Sequence, residues 1–156
     1  MATVNSNLSV YDPEQVPSGE DLSVALVVSE WNAQITESLF QGAYDTLRNH
    51  KVAEKNISRI NVPGSFELIY GAKHAQSKGF DVVIVIGSVI QGETKHFDFV
   101  CQGVSQGIKD LNIQSNIPVI FCVLTDNTLQ QAIDRSGGEF GNKGIEASLR
   151  TLQTLQ

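Results

Sequence analysis

The fold is decided by one stretch of the sequence, Asp81-Val-Val-Ile-Val-Ile-Gly87, which places five β-branched residues in a row between an acidic residue and a glycine. A strand with one solvated face alternates apolar and polar residues, whereas a strand that is covered on both faces is apolar throughout. This stretch therefore predicts a buried strand in a sheet that has other structure packed on both of its faces.

Strands and helices alternate along the chain on both sides of this stretch. Further apolar runs predict strands at 23–29, 57–62 and 118–124. Apolar residues three and four positions apart predict helices, which we place at Ala33 to about Val52, Ser65 to about Ser77, near Lys95 to Leu111, Thr128 to about Ser136, and Ile145 to Leu155. Strands that alternate with helices pair in parallel through right-handed crossovers. The sequence thus predicts an α/β fold, a doubly wound parallel sheet with helices on both faces in three layers.

The chain has 156 residues, of which 41% are apolar, and this is enough for a single domain with a substantial core. We expect one domain over 1–156, in which residues 1–22 form a polar N-terminal lead. The sequence shows no internal repeat and no low-complexity segment that would divide it further.

The charge of the chain limits its partners. A net charge of -6 would repel the phosphates of nucleic acids and anionic lipid head groups. No apolar stretch approaches the roughly 20 residues that span a bilayer. The first 47 residues contain neither Lys nor Arg, unlike a secretory signal or a transit peptide. We expect a cytoplasmic protein whose partners are small molecules or proteins, with no nucleic-acid or membrane partner.

The cysteines and histidines do not predict a metal site. Cys101 and Cys122 lie in apolar runs, and we interpret both as small buried hydrophobic residues rather than as a disulfide or a metal pair. His50, His74 and His96 are far apart in the sequence and lack the clustering of metal ligands.

Doubly wound sheets bind their ligands outside the carboxyl ends of the strands, so the turns from strand to helix are the places to search. These turns are 29–32, 62–67, 87–96 and 124–128, and they hold most of the polar, aromatic and glycine residues between elements. None of them has the phosphate loop of nucleotide hydrolases or the dinucleotide-binding fingerprint. A generic nucleotide enzyme is therefore disfavoured.

The turn at 87–96 has two interpretations. The amides of Gly92, Glu93 and Thr94 precede a predicted helix, where they could bind an anion. Thr94 could equally be an ordinary N-cap. His96 falls in the first helical turn, where the helix dipole favours the neutral imidazole that can transfer protons, although it could also be a simple surface histidine.

Other single residues are ambiguous in the same way. Trp31, the one tryptophan, could stack on a planar ring or fill the core or an interface. Glu67 could bind polyol hydroxyls, with Phe66 beside it, or merely favour the start of a helix. Arg135 ends a predicted helix, where a cation is favourable on electrostatic grounds alone.

Taken together and in order, these turns resemble the lumazine synthase family from about Val24 to Leu152. The matching motifs are Ser-Glu-Trp-Asn at 29–32, Val-Pro-Gly-Ser-Phe-Glu-Leu at 62–68, Gly-Ser-Val-Ile-Gln-Gly-Glu-Thr-Lys-His-Phe-Asp-Phe-Val at 87–100, Pro-Val-Ile-Phe at 118–121, Gln-Ala-Ile-Asp-Arg-Ser-Gly at 131–137 and Gly-Asn-Lys-Gly at 141–144.

The resemblance implies a flavodoxin-like subunit that forms a pentamer, with each active site between two neighbouring subunits. It implies an enzyme that condenses 5-amino-6-(D-ribitylamino)uracil with 3,4-dihydroxy-2-butanone 4-phosphate in the penultimate step of riboflavin synthesis, without a metal or redox cofactor. The link between Arg135 and Lys143 lacks the extra residues of pentamer-only members, which leaves a sixty-subunit shell open. Riboflavin synthase is a candidate protein partner.

The resemblance also implies roles for individual residues. The positions that match the family's pyrimidine and ribityl contacts are Trp31, Asn32, Ser65, Phe66, Glu67, Ser88, Val89, Ile90 and, from the neighbouring subunit, Phe121. Glu93 and Thr94 match its phosphate-binding amides, and Arg135 matches the phosphate-binding arginine of the neighbour. His96 resembles the proton-transfer residue, and Lys143 is a further candidate.

Three positions depart from the commonest family pattern. Trp31 stands where phenylalanine is more usual, Ser65 where alanine is frequent, and Gln91 where a basic residue often occurs. Two other functions fit the sequence less well than the resemblance does. A flavin-binding module would need a longer turn after the first strand, richer in Ser, Thr and Gly, and a purely structural shell protein would not need His96, Phe121 and Arg135 together.

Overall fold

The computed structural model describes residues 6–155, and its centre is a four-stranded parallel sheet with the order β2-β1-β3-β4. The strands are β1 (Val24–Ser29), β2 (Ile57–Val62), β3 (Val82–Ile90) and β4 (Val119–Asp126). β1 lies between β2 and β3, and all three strand pairs are parallel. The predicted parallel sheet is therefore confirmed, with the stretch 81–87 in one of its two inner strands.

Five α-helices cover the two faces of this sheet. They are α1 (Ala33–Asn49), α2 (Leu68–Gln76), α3 (His96–Gln114), α4 (Leu129–Arg135) and α5 (Lys143–Thr154). Buried residues of α1, α4 and α5 form one core cluster with the sheet, and those of α2 and α3 form a second cluster on the opposite face. This confirms the three-layer, flavodoxin-like α/β architecture.

Alternation along β3 shows how one strand serves both clusters. Ile84 and Ile86 face α1 and α5, whereas Val83 and Val85 face α2 and α3. All four are fully buried. Because successive side chains of a strand point to opposite faces, a strand between two helical layers must be apolar at every position.

Several predicted boundaries were wrong, and those of β3 and α2 matter for the site. β3 runs on to Ile90 instead of ending at Gly87, because β4 continues to Asp126 and the two strands stay paired to that point. α2 begins at Leu68 instead of Ser65, because residues 63–67 form a turn that closes with a 3.2 Å hydrogen bond from the Leu68 amide to the Ser65 carbonyl. The end of α1 also differs from the prediction. This helix stops at Asn49 rather than at about Val52, since Lys51 has a positive φ of 73°.

The segment between α4 and α5, interpreted from sequence only as a link, is a small antiparallel hairpin. Its strands are β5 (Ser136–Gly138) and β6 (Gly141–Asn142). The Asn142 side chain accepts a 2.8 Å hydrogen bond from the Gly144 amide and donates a 2.9 Å bond to the Ser38 carbonyl of α1. One amide side chain therefore caps α5 and ties it to α1.

Part of the polar N-terminal lead packs against this hairpin. The Leu8 amide donates to the Phe140 carbonyl at 2.7 Å, and the Asn142 amide donates to the Ser9 hydroxyl at 2.9 Å. Residues 1–5 of the predicted lead lie outside the described residues.

The two cysteines differ from each other. Cys122 is buried, as predicted, but Cys101 is only partly buried, because it lies in the first turns of α3, where burial against the sheet begins only at Val104. Within residues 6–155 no helix is long and apolar enough to cross a membrane, and no group of three or more potential metal ligands is found there.

Candidate active site

A pocket of about 710 Å³ lies at the carboxyl ends of the strands, where the doubly wound fold predicts a ligand site. It is lined by the ends of β1, β2 and β3 and by the start of α3. The predicted site residues that it brings together are Trp31, Asn32, Ser65, Phe66, Glu67, Ser88, Val89, Ile90, Thr94 and His96.

The turn after β1 presents an indole ring on a fixed backbone. The Trp31 amide donates to the Pro63 carbonyl at 3.1 Å, yet its side chain is 70% exposed, so it does not belong to the core of the subunit. Asn32 is in the left-handed region, with φ of 59°, and its Nδ2 donates to the Ser88 carbonyl at 2.9 Å. The strained residue thus ties the start of α1 to the end of β3 and leaves the indole facing the pocket.

The turn after β2 places a serine, an aromatic ring and a carboxylate side by side. Ser65 is buried and packs against Gly87, where an added Cβ would lie 2.7 Å from the Ser65 Oγ. Phe66 is 54% exposed and its ring edge covers Gly103 of α3. Glu67 precedes the first residue of α2 and makes no capping hydrogen bond with its side chain. Its exposed carboxylate is therefore available to a ligand.

Two buried hydroxyl groups line the pocket without a partner. The Oγ atoms of Ser65 and Ser88 have no hydrogen-bond partner among the described residues, although both side chains are more than nine-tenths buried. Buried hydroxyl groups are nearly always paired with protein, water or ligand. Both are therefore suited to bind polar atoms of a molecule in the pocket.

The loop after β3 leads into α3 at His96, which is the first residue of the helix. The Thr94 Oγ1 accepts a 3.4 Å hydrogen bond from the His96 amide. Thr94 is not the N-cap that one interpretation of the sequence gave it, because the helix starts one residue later and Lys95 holds that position. The imidazole of His96 is exposed and lines the pocket, as proton transfer to a bound substrate requires.

Four predicted site residues do not line this pocket. Glu93 is exposed in the loop before α3, and Phe121 is partly buried on β4. Arg135 ends α4, with its guanidinium carbon 5.0 Å from the centre of the Phe140 ring and its Nη1 donating to the Gln131 carbonyl at 3.1 Å. Lys143 pairs with Glu146 at 3.2 Å. Within one subunit, these side chains form no common site with His96 in the pocket.

Sequence reasoning missed several lining residues of α3. Phe97, Phe99 and Val100 were predicted only as part of the helix and were not singled out as site residues, yet all three line the pocket. Phe99 is 68% exposed. Helical spacing identified the apolar face but not the fact that its first turns extend beyond the sheet.

Asp126, at the end of β4, was also missed. It is 6% exposed, and burial raises the pKa of its carboxyl group, while Arg135 and Lys143 act in the opposite direction. A polar residue that follows an apolar strand is usually solvated in a turn, so the sequence alone gave no reason to expect a buried carboxylate near two cations.

Residues 21–156 match the family model described as 6,7-dimethyl-8-ribityllumazine synthase. Proteins with that same name are similar over nearly the whole chain. One from Flavobacterium johnsoniae is 62% identical and covers 98% of this chain and 81% of its own length. One from Christiangramia forsetii is 57% identical, with 100% and 94% covered, and one from Parabacteroides distasonis is 51% identical, with 99% and 98% covered.

Proposed function

The chain belongs to the 6,7-dimethyl-8-ribityllumazine synthase family of riboflavin biosynthesis, and from this premise we propose that the pocket beside Trp31 is one half of its active site. The chain is an enzyme of the transferase class, and its substrates are small molecules. We propose that it condenses 5-amino-6-(D-ribitylamino)uracil with 3,4-dihydroxy-2-butanone 4-phosphate in the cytoplasm. The observation that supports this most is the convergence of ten residues, predicted from three separate motifs, on one pocket.

The pyrimidine and its ribityl chain fit the part of the pocket between β1 and β3. The exposed indole of Trp31 is free to stack on the flat ring, and the backbone of Val89 and Ile90 at the end of β3 can pair with its polar edges. The ribityl hydroxyls have the Glu67 carboxylate and the unpartnered Ser65 hydroxyl as acceptors and donors. Asn32 acts with this group by holding the Ser88 carbonyl in place.

Phosphate is assigned to the loop before α3, where Glu93 and Thr94 contribute backbone amides near the positive end of the helix dipole. Gly92 in this loop has no atoms within 4 Å of the position of an added Cβ, so a ligand can approach the backbone closely. Gln91 contributes no positive charge there, and the phosphate charge must be met by Arg135 instead.

The chemistry needs positioning and proton transfer. The 5-amino group of the pyrimidine attacks the ketone carbon, and loss of water gives an imine. Elimination then releases phosphate, and attack by the ribityl-bearing nitrogen with loss of a second water closes the ring. Holding two substrates in one pocket lowers the barrier by roughly 7 to 11 kcal/mol. His96, at the rim of the pocket, moves protons at the imine and elimination steps, a contribution of about 10² to 10⁴ in rate.

The remaining half of the site belongs, in this proposal, to the neighbouring subunit of a pentamer. Phe121 and Arg135 do not line the pocket of their own subunit, whereas the family pattern includes both in the site. A closed ring satisfies this requirement, because each subunit then gives one half-site to each of its two neighbours. Lys143 would accompany Arg135, and assembly of pentamers into a sixty-subunit shell is compatible with the short β5–β6 hairpin.

The direct test is to supply both substrates to the purified protein and to measure formation of the fluorescent lumazine. We expect product from wild type and a much lower kcat, with pyrimidine binding largely kept, for His96→Ala. His74→Ala is a matched control, because His74 is an exposed histidine of α2 outside the pocket. Absence of product with both substrates present would refute the proposed activity.

A further inference from the structure

Asp126 is a buried carboxylate at the end of β4, close to the residues to which we assign the phosphate group. It pairs in register with Ile90, and its backbone carbonyl accepts a 2.9 Å hydrogen bond from the Gln91 amide. Its Oδ2 atom is buried and has no hydrogen-bond partner among residues 6–155. A buried carboxylate oxygen without a donor is costly, so its charge depends on the cations around it.

Charged groups from two helices act on this carboxyl group. Burial raises the pKa of Asp126, whereas Arg135 from α4 and Lys143 from α5 lower it. Each cation also has another partner, since Arg135 lies over the Phe140 ring and Lys143 pairs with Glu146. β3 presents an uncharged isoleucine at the paired position. The charge of the carboxylate is therefore stabilised electrostatically by two cations, each of which makes direct contacts with other groups.

Among the described residues of β4, the one other titratable side chain adds no compensating charge. Cys122 precedes Asp126 by four residues on β4 and so faces the same side of the sheet. Burial raises the pKa of its thiol to about 12, so the thiol is neutral. With Asp126 ionised, the charges of Asp126 and Glu146 balance those of Arg135 and Lys143. An arriving phosphate group would leave this cluster with excess negative charge in a poorly solvated place, where charge is costly.

We propose that Asp126 is a proton-linked counter-charge for the phosphate half-site. It is ionised while no anion contacts Arg135, and it takes one proton from solvent when an anionic phosphate group binds there. This inference rests on the proposed function, specifically on the assignment of the phosphate group to Arg135. Its consequence is that phosphate affinity rises as the pH falls, through a residue that does not itself touch the substrate.

Sulfate is the probe for the test, because it stays doubly charged over the useful pH range whereas phosphate titrates. The inhibition constant of sulfate against the butanone phosphate is measured from about pH 5 to 8 for the full chain and for Asp126→Asn. At pH 8 we expect Asp126→Asn to bind sulfate about tenfold more tightly, the effect of one charge at a distance on the order of 10 Å in a medium of intermediate dielectric constant. This ratio should shrink as the pH falls and wild-type Asp126 becomes protonated.

Two variants control the experiment. Asp126→Glu keeps the charge and should keep the wild-type pH dependence. Asp134→Asn removes the same charge from α4. The Asp134 carboxylate is more solvated and accepts a 2.8 Å hydrogen bond from the Gln130 side chain, so the sulfate inhibition constant of this variant should stay close to that of wild type at every pH. Asp126→Ser is a second neutral variant, for use if the asparagine variant does not fold.

If the ratio of the sulfate inhibition constants of wild type and Asp126→Asn is constant with pH, or if the neutral variants bind sulfate more weakly at every pH, Asp126 has a structural role and the inference is overturned. Wild type alone gives an independent measurement, since proton uptake on sulfate binding makes the binding enthalpy depend on the buffer, and no buffer dependence would also overturn it. If Arg135→Ala leaves sulfate inhibition unchanged, the phosphate assignment fails and the inference fails with it. If the enzyme forms lumazine normally but the ratio of the sulfate inhibition constants of wild type and Asp126→Asn does not change with pH, only the inference about Asp126 fails and the proposed function stands.

Discussion

Arg135, to which we assign the binding of the phosphate group, makes few contacts within its own subunit. Its contacts are a carbonyl of its own helix and the face of Phe140. Charge-assisted hydrogen bonds to phosphate are worth more than either contact. Arg135→Ala should therefore raise KM for the butanone phosphate by about 10- to 100-fold and change KM for the pyrimidine far less, as steady-state kinetics with each substrate varied in turn will show.

The matched control is Arg59→Ala. Like Arg135, Arg59 lies over an aromatic ring, with its guanidinium carbon 4.4 Å from the centre of the Phe40 ring. It forms an ion pair with Glu37, and it belongs to none of the motifs that we assign to the site. Both Michaelis constants should stay close to wild type in this variant. If Arg135→Ala raises both constants equally, the arginine is not a phosphate ligand.

Asp81 shows how a single carboxylate affects stability. It accepts hydrogen bonds of 2.7 Å from the amide and from the hydroxyl of Ser23, and these bonds lower the pKa of its carboxyl group. A lowered folded-state pKa adds stability that is present above the unfolded-state pKa and is lost as the pH falls through the folded value. Asp81→Asn should thus lower the free energy of unfolding at neutral pH by about 1 kcal/mol or less, since the pair is solvent-exposed.

Urea unfolding of wild type and Asp81→Asn between neutral pH and about pH 3 measures this effect. The difference between the two proteins should shrink as the wild-type carboxyl group becomes protonated. Asp21→Asn, at an exposed acid that precedes β1 as Asp81 precedes β3, makes the same change of charge and should show little difference at any pH. If the difference in free energy of unfolding between wild type and Asp81→Asn persists at about pH 3, the effect of the substitution comes from the geometry of the side chain rather than from its charge.

Among the elements, the strands of the sheet were the easiest to predict and the turns that form the site were the hardest. The apolar runs gave β2 with its observed bounds and β1 to within one residue. The end of β3 at Ile90 was not predictable, because it depends on how far β4 continues beside it. Residues 65–67 were predicted to begin α2, yet the Ser65 hydroxyl packs on Gly87 and these residues form a turn. Tertiary contacts override local preference at such positions.

Gly144, at the start of α5, is where two helices approach too closely for a side chain. An added Cβ would lie 2.0 Å from the Leu39 carbonyl oxygen of α1, and backbone atoms on both sides leave little room to adjust. Overpacking in a core costs about 1 to 3 kcal/mol, and more where backbone must move. Gly144→Ala should therefore lower the free energy of unfolding by about 3 kcal/mol or more, as chemical denaturation will measure.

Gly92→Ala is the control for this substitution, because no atom lies within 4 Å of its added Cβ. Its free energy of unfolding should change by less than about 0.5 kcal/mol, as expected for a surface substitution. If Gly144→Ala is as stable as Gly92→Ala, then α1 and α5 are not in the close contact that Asn142 is seen to hold.

In the molecule as a whole, the residues assigned to catalysis fall into two groups that lie apart on one subunit. His96 lines the pocket, whereas Arg135 ends a helix outside it. We predict that His96→Ala and Arg135→Ala, each nearly inactive alone when the butanone phosphate is kept well below the KM of the arginine variant, regain activity when they are dissociated, mixed and reassembled. In a ring with random equal mixing, about one quarter of the interfaces pair an intact His96 with an intact neighbouring Arg135.

The assay for this prediction is lumazine formation, alongside mass spectrometry that establishes subunit exchange. A mixture of wild type with His96→Ala gives the comparison, since about half of its sites should be active. If the two variants exchange subunits but are no more active together than apart, both residues serve the same site from one subunit. That outcome would reject the shared site while leaving the pocket itself in place.

The order of the strands affects how the chain can fold while it is being synthesised on the ribosome. β1 lies between β2 and β3, and its pairing with β3 joins Val24 to Val82, so the first strand to be made waits for the third. Every pair in this sheet is parallel, and such pairs close long loops before they gain stability. A nascent chain therefore leaves the ribosome tunnel with its most apolar early segment uncovered until β3 has been synthesised. During that interval we expect β1 to be accessible to chaperones, and slower translation of residues 30–81 would lengthen its exposure.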